Sequence, residues 1–259
     1  GIPGKYIAAG PLASRWLQEQ FATDATLIRS GTQVLGEPAA GYLSHPGYAA
    51  LPKAPYRYQE MLGVIWRENP SCYLEDGEQA VLMAALMETD NAGRPLIDAW
   101  IKRSGLSADA WLEKLFEATV IPFYHLLCRY GVALIAHGQN VTLVMKDSVP
   151  QRILLKDFQG DMRLVDEDFP QAQSLPDQVK AVTARLSADY IIHDLQTGNF
   201  VTVLRFISRL TLQCGVSETR FYQILAEVLR GYMAAHPDLA ERFAKFDLFK
   251  PQIIRVILN

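Results

Sequence analysis

The sequence predicts an α+β protein, a mostly helical body around a central antiparallel β-hairpin. Three observations carry that prediction. Apolar residues recur at helical spacing through much of the chain after Met61. Between Val132 and Lys156 that spacing gives way to two β-rich runs on either side of a polar turn. Beyond Ser174 helical spacing returns, punctuated by a stop and a cap.

The elements follow in order. The first 58 residues are rich in Gly and Pro and read as loosely organised, with ATLIRSG and TQVLGEP as short strand candidates. Ala80–Met87 reads as a buried helix, with Glu75, Asp76 and Glu78 suited to the positive end of its dipole. Pro95–Arg103 is a short amphipathic helix with Pro in its first turn. Ser107 opens the next helix, where Trp111, Leu112, Leu115, Phe116 and Val120 share a face. Pro122 kinks it before Phe123–Tyr130, and Gly131 ends it. Val132–Ala136 is a short apolar strand. Val141–Met145 and Arg152–Lys156 are the arms of the hairpin, joined by a turn over Lys146–Pro150. Helices are expected over 179–196, 200–213, 217–235 and 238–246, with Gly215 as a stop and Ser217 as a cap. There is no internal repeat and no low-complexity tract.

Composition narrows the function classes. The 259 residues hold 25 Lys+Arg against 28 Asp+Glu, a formal net charge of -3, with 49% hydrophobic and 20% charged residues. A disordered chain would be less hydrophobic and more charged. No basic excess exists for binding nucleic acid through bulk charge. No apolar run reaches about 18 residues, so no membrane span is expected. The opening GIPGKYIAAG has no basic segment leading into a long apolar run and is not a signal peptide. Cys72, Cys128 and Cys214 are far apart and fit neither a disulfide framework nor a CxxC metal site. They read as buried free thiols of a cytoplasmic protein.

The chemistry concentrates in AHGQNVTLVMKDSVPQRILLKDFQGDMR, residues 136–163. If the hairpin closes as expected, its open end brings Asn140 and Asp157 side by side. An amide oxygen beside a carboxylate is a hard-oxygen pair suited to Mg²⁺, which takes few protein ligands and fills its shell with phosphate and water. His137, in the preceding turn, would donate to a phosphate oxygen. Gly138 and Gly160 would let backbone approach a ligand. Each residue alone has a plainer reading as a turn former or a structural His. A kinase-like phosphotransferase would place a catalytic Asp where Gln139 stands, and would need a Gly-rich phosphate loop that is absent. What remains is a Mg-nucleotide site without a carboxylate to activate a hydroxyl.

At these residues the chain resembles the NRPS-independent siderophore synthetases, the IucA/IucC family. AHGQN (136–140) and LLKDFQGDMR (154–163) carry the resemblance. It extends through RLSADYIIHDLQTGNFVTVLRFIS (185–208), APYRYQEMLGVIWRENP (54–70) and LFKPQIIRVILN (248–259). The resemblance implies a ligase that uses ATP and Mg²⁺ to adenylate a citrate-type carboxylate and condense it with an amine. Within the family it points to the last condensation of a hydroxamate siderophore. There the acid is a citryl conjugate of N6-acetyl-N6-hydroxylysine, and the nucleophile a second N6-acetyl-N6-hydroxylysine. It implies that His137 contacts nucleotide phosphates and that Asn140 and Asp157 hold the metal and phosphate. Gln139, Asp161 and Arg163 share the motif as weaker nucleotide contacts.

Arg67, in WREN, is a substrate-carboxylate candidate whose plainer reading is an ion pair with Glu68 or Glu60. Asn199 and Arg205 fall on the family's substrate side and otherwise read as helix-surface polarity, as do His125 and His193. Many family members carry an acidic residue where Ile135 stands. The resemblance also implies a homodimer. It makes residues 1–259 the palm-type C-terminal region, with a sub-boundary near 170–175. The thumb and fingers, with their Ser-x-Arg-Thr and Thr-Ser-x-x-Arg motifs, would lie outside it, leaving weak turnover for this chain alone. The alternative from another class is a non-catalytic ferric-siderophore binding module.

Overall fold

The structure, a computed structural model, describes residues 7–43, 46–49, 63–158 and 160–252. Gln159, Glu60 and the family-like stretches 54–62 and 253–259 lie outside the described residues.

Helix α1 spans Gly10–Thr23 and buries Ala13, Trp16, Leu17 and Phe21. Asp24 ends it and caps α2, Ala25–Ser30, by accepting the N–H groups of Thr26 at 2.8 Å and Leu27 at 3.1 Å. The loose organisation expected here is thus replaced by packed helix, and ATLIRSG is helical rather than extended. The side-chain cap outweighs the β-branched content of that run. Part of TQVLGEP is a strand, β1 at Gln33–Val34. Strands β2, Ala39–Tyr42, and β3, Gly63–Trp66, form a separate antiparallel pair.

Ala80–Met87 is not a helix. Strand β4 occupies Glu78–Leu82 and a 3₁₀ turn follows over Met83–Met87. The expected N-terminal acid Glu78 instead takes the Arg152 guanidinium, with Nη2 to Oε2 at 2.7 Å. That pair holds its carboxyl down at about 2.

Helices α3, Leu96–Ser104, and α4, Ala108–Thr119, appear where expected, with Ser107 Oγ accepting the Ala110 N–H at 3.2 Å. Pro122 produces a break rather than a kink, since it sits in the first turn of a new helix α5, Ile121–Tyr130. Gly131 stops α5 at φ +65, where a Cβ would come within 2.6 Å of Val165 Cγ1.

Strands β5, Val132–Leu134, β6, Val141–Lys146, and β7, Val149–Leu155, follow. The hairpin turn is only Asp147-Ser148, both at positive φ, as a two-residue turn requires. Pro150 is therefore inside β7, opposite Met145, where a bulge shifts the register. Trp111 Nε1 ties α4 to the turn by donating to the Ser148 carbonyl at 2.8 Å.

Strand β8 spans Met162–Val165. The helix expected over 179–196 is divided: α6 covers Asp177–Val182, and β9, Ala184–Leu186, then pairs in parallel with β8. Single turns at Ala188–Ile191 and His193–Leu195 lead into a π-helix over Gln196–Leu204. Helices α7, Arg205–Thr211, α8, Glu218–Ala235, and α9, Ala240–Lys245, complete the described chain. Ser217 caps α8 as expected.

The main sheet has the order β1-β7-β6-β4, and a second has β5-β8-β9. One hydrophobic cluster joins both sheets to the helices, with Trp111, Tyr124, Phe116, Phe221 and Phe246 fully buried. The α+β class stands. Cys128 is buried but Cys72 is exposed, so the uniform burial expected of the thiols does not hold. Among the described residues no helix is long and apolar enough to cross a membrane.

Candidate functional site

The AHGQN segment is the loop from β5 to β6. Three backbone contacts fix it: Ile135 N–H to Asp161 O at 2.9 Å, Ala84 N–H to Gly138 O at 3.0 Å, and Asn140 N–H to His137 O at 3.0 Å. Asn199 adds a fourth, donating to Ala136 O at 3.0 Å. A Cβ on Gly138 would lie 3.1 Å from the Ala84 backbone. The partner that Gly138 approaches is thus protein backbone rather than a ligand. Gly160 differs: it takes φ +80 and faces open space. The Gln139 N–H donates to His137 Nδ1 at 3.3 Å. A ring accepting at Nδ1 carries its proton on Nε2, which makes Nε2 a donor. Gln139 itself is exposed.

The second wall forms where β1, β3 and β7 end. Glu68 accepts the Gly36 N–H at 2.7 Å and gives its own N–H to Gly36 O at 2.9 Å. This clamp sets Arg67 beside Glu37, with Nη2 to Oε1 at 3.1 Å, and the same nitrogen reaches Asp157. Lys156 Nζ holds the other Asp157 oxygen at 2.9 Å. Burial pushes the Glu37 carboxyl up, against the pull of Arg67 and with a further push from Asp157. Asp157 has φ +64, a left-handed backbone that a non-glycine residue adopts at a cost of order 1 kcal/mol or more.

The third cluster lies at the junction of β5, β8 and the π-helix. Asn140 Nδ2 donates to Asp161 Oδ2 at 2.8 Å. Arg163 turns back on the loop before β8, donating to the carbonyls of Gly160 and Met162. Burial raises the Asp194 carboxyl to about 6, with the charge of Arg163 pulling it down and that of Asp161 pushing it up.

The expected pairing of Asn140 with Asp157 is therefore not the one formed. The β6–β7 register ends at Val141 opposite Leu155, so the two residues flank the same hairpin end. Their side chains go apart, Asn140 to Asp161 and Asp157 to Arg67 and Lys156. Arg67 pairs with Glu37 and Asp157, not with Glu68. Asn199 is not surface polarity, because it is fully buried against the AHGQN loop. His193 and His125 are buried as well. Arg205 is exposed, and its guanidinium lies 5.8 Å from its neighbour's Phe206 ring, apart from the clusters. Sequence reading missed Glu37, Lys156 and Asp194. Lys156 adjoins the motif Asp and was the only one with a local signal.

Two family models match this chain. One is the IucA / IucC family over residues 1–88, the other the "Ferric iron reductase FhuF-like transporter" family over residues 109–259, more than half of the chain. The chain belongs to the IucA/IucC family, with a FhuF-like second part. It is 70% identical to the aerobactin synthase of Escherichia coli over its whole length, covering 45% of that protein. The solved aerobactin synthetase IucC from a hypervirulent Klebsiella pneumoniae pathotype superposes with a TM-score of 0.92 at 67% identity. That match covers 99% of this chain and 46% of the other. The petrobactin biosynthesis protein AsbB of Bacillus anthracis gives a TM-score of 0.85 at 27% identity, over 95% of this chain and 42% of that one. The chain thus spans less than half the length of these relatives.

Proposed function

We propose that this chain forms the nucleotide-facing wall of an ATP-dependent siderophore synthetase. The reaction would activate a citrate-type carboxylate as an acyl-adenylate and condense it with an amine such as N6-acetyl-N6-hydroxylysine, giving aerobactin or a related hydroxamate. The observation that carries this reading is that the two sides of one hairpin end carry hard-oxygen groups, Asn140 bonded to Asp161 on one and Asp157 held by Lys156 and Arg67 on the other.

The donor set suits Mg²⁺ and phosphate. Asn140 with its partner Asp161, and Asp157 once it turns from Arg67 and Lys156, would hold the metal, which would supply charge neutralisation at the phosphates. Among the described residues no three His, Cys, Asp or Glu side chains group as a metal cage. Sparse protein ligation of this kind is how Mg²⁺ sites are usually built, with phosphate and water completing the shell. His137 Nε2 donates to a phosphate oxygen. Lys156 and Arg67 flank Asp157 and are placed to exchange that carboxylate for the developing charge on a phosphate or a substrate acid. Similarity to aerobactin synthase over the whole chain supports the choice of acid and amine.

The test is pyrophosphate release by the full-length protein supplied with ATP, Mg²⁺ and citryl-N6-acetyl-N6-hydroxylysine. Asp157→Ala is expected to lower it about 10²-fold or more, and an unchanged rate would remove Asp157 from the site. The FhuF-like match supports a second reading, a ferric-siderophore binding module. Its signature is a spectral change on titrating ferric aerobactin into the protein without ATP. That change, together with no pyrophosphate release, would favour it.

A further inference from the structure

Glu37 is an acid whose side chain is 0% exposed, yet it is only half paired. Its Oε1 accepts Arg67 Nη2 at 3.1 Å, while Oε2 is buried without a hydrogen-bond partner among the described residues. Arg67 shows the matching gap, its Nε buried and unpartnered. Buried polar groups are nearly always satisfied, so an orphan acceptor and an orphan donor on two contacting side chains call for a cause. An arginine fork can engage both oxygens of a carboxylate at once, and that paired arrangement is the stronger one. Here Nη2 is instead shared, since it also reaches Asp157. The backbone around the pair is fixed. The Glu37 N–H donates to Ser14 Oγ at 3.1 Å, and Gly36 and Glu68 are joined by two hydrogen bonds. A Cβ on Gly36 would lie 2.7 Å from Glu68 Oε2, so the clamp has no room for a side chain there. What is left to move is the Arg67 side chain, and a ligand can reach it: Arg67 is 25% and Asp157 30% exposed.

We propose that Glu37 is a positioning residue, a second seat into which the Arg67 guanidinium withdraws when Asp157 turns to the nucleotide. The proposal rests on the synthetase reading. In the seat Nε donates to Oε2 and Nη2 to Oε1, so both orphans are satisfied and Asp157 is released. The rest of the fork keeps its N–H groups for an anionic ligand. No covalent bond is made or broken in the exchange. Without the Glu37 carboxylate the guanidinium has only Asp157 to pair with in this wall, and the form with Asp157 free becomes rarer. A ligand that needs that form then binds more weakly, in proportion to its share of the population. Glu37 itself touches no ligand and acts through Arg67.

The experiment titrates the magnesium complex of α,β-methylene-ATP, whose α–β bridge does not cleave, into the full-length protein by calorimetry. Wild type, Glu37→Gln, Asp157→Asn and the double variant are compared. Glu37→Gln is expected to weaken binding about tenfold in the wild-type background. Its effect should shrink below about twofold once Asp157→Asn is present, because Arg67 then has no carboxylate to leave. The same loss in both backgrounds, or no loss in the first, would overturn the assignment. A crystal structure of the wild-type complex with this analogue reads the seat directly. Arg67 Nε within hydrogen-bond distance of Glu37 Oε2 is expected, and an Arg67 still shared with Asp157 overturns it. Pyrophosphate release keeps the two readings apart. A wild type that releases it while the two substitutions simply add keeps the synthetase and removes the seat. A wild type that releases none with ATP, Mg²⁺ and citryl-N6-acetyl-N6-hydroxylysine removes both.

Discussion

Asp24 and Asp194 make an instructive pair. Both are half-buried aspartates at helix junctions, and a buried histidine is near each. Around Asp24 nothing is left over. Its Oδ1 caps α2, and its Oδ2 receives His125 Nε2 and Tyr130 Oη, both at 3.1 Å. His125 Nδ1 meets Tyr232 Oη at 2.7 Å, and His236 binds Thr26 Oγ1 at 2.8 Å. Burial works against that carboxylate, yet the hydrogen bond and charge of His125 and the two capping amides hold it far below its usual range. Around Asp194 the balance is reversed. No partner answers Oδ2, and burial is the leading influence. One aspartate is closed into the fold by its partners, and the other is buried with an oxygen that has none. A satisfied polar network fastens helices together, while an unsatisfied buried oxygen costs stability.

That contrast can be broken most forcefully at Asp24. Asp24→Ala removes a cap and leaves His125 and Tyr130 buried without their acceptor, a loss of about 3–5 kcal/mol in urea unfolding. A loss under about 1 kcal/mol would put Asp24 in the same class as Asp194. The pH dependence has a fixed sign. A carboxylate held below its unfolded value contributes stability that is present above about pH 4 and lost on further acidification. Asp24→Asn should therefore flatten the acid limb of the stability curve.

A smaller effect is expected at Gly138, where the AHGQN loop touches Ala84. Gly138→Ala forces two backbones apart and should cost about 1–3 kcal/mol. A neutral result would show that the loop is not clamped as its contacts indicate.

The smallest effect has the opposite sign. The Asp194 carboxyl is raised, so its stabilising contribution is complete below pH 4 and lost as pH rises through about 6. Asp194→Asn should leave stability unchanged near pH 4 and increase it by about 1 kcal/mol at pH 7.5. A destabilised variant at pH 7.5 would mean that Asp194 has a structural partner after all.

What the sequence disclosed follows the range of the forces involved. The hairpin strands, the Ser107 and Ser217 caps and the Gly131 stop are set by a few adjacent residues, and each was readable. The helical pattern of Ala80–Met87 misled because β4 is fixed by pairing with β6, Ala80 against Val144 and Val81 against Leu143. Likewise β9 interrupts an expected helix because β8 offers it an edge. In the site, AHGQN and the Asp157 turn were visible as motif. Glu37 and Asp194 were not, since an acid on a helix or beside a Pro looks the same whether it ends in water or in the core. Asn199 shows the same limit, reading as surface polarity until the loop at Ala136 covers it.

The parallel pairing of β1 with β7 sets Gln33 against Leu154. A tight hairpin such as β6–β7 forms within roughly 1–10 μs once its residues exist. A ribosome adding about 5–20 residues per second delivers β7 several seconds after β1. Until then β1 has no β7 edge to pair with, and Glu37 lacks its final surroundings. The wall containing Arg67, Glu37 and Asp157 is therefore assembled late, from earlier and later parts of the chain. Slowing synthesis between those segments lengthens the time the open edge is available to chaperones or to a neighbouring nascent chain.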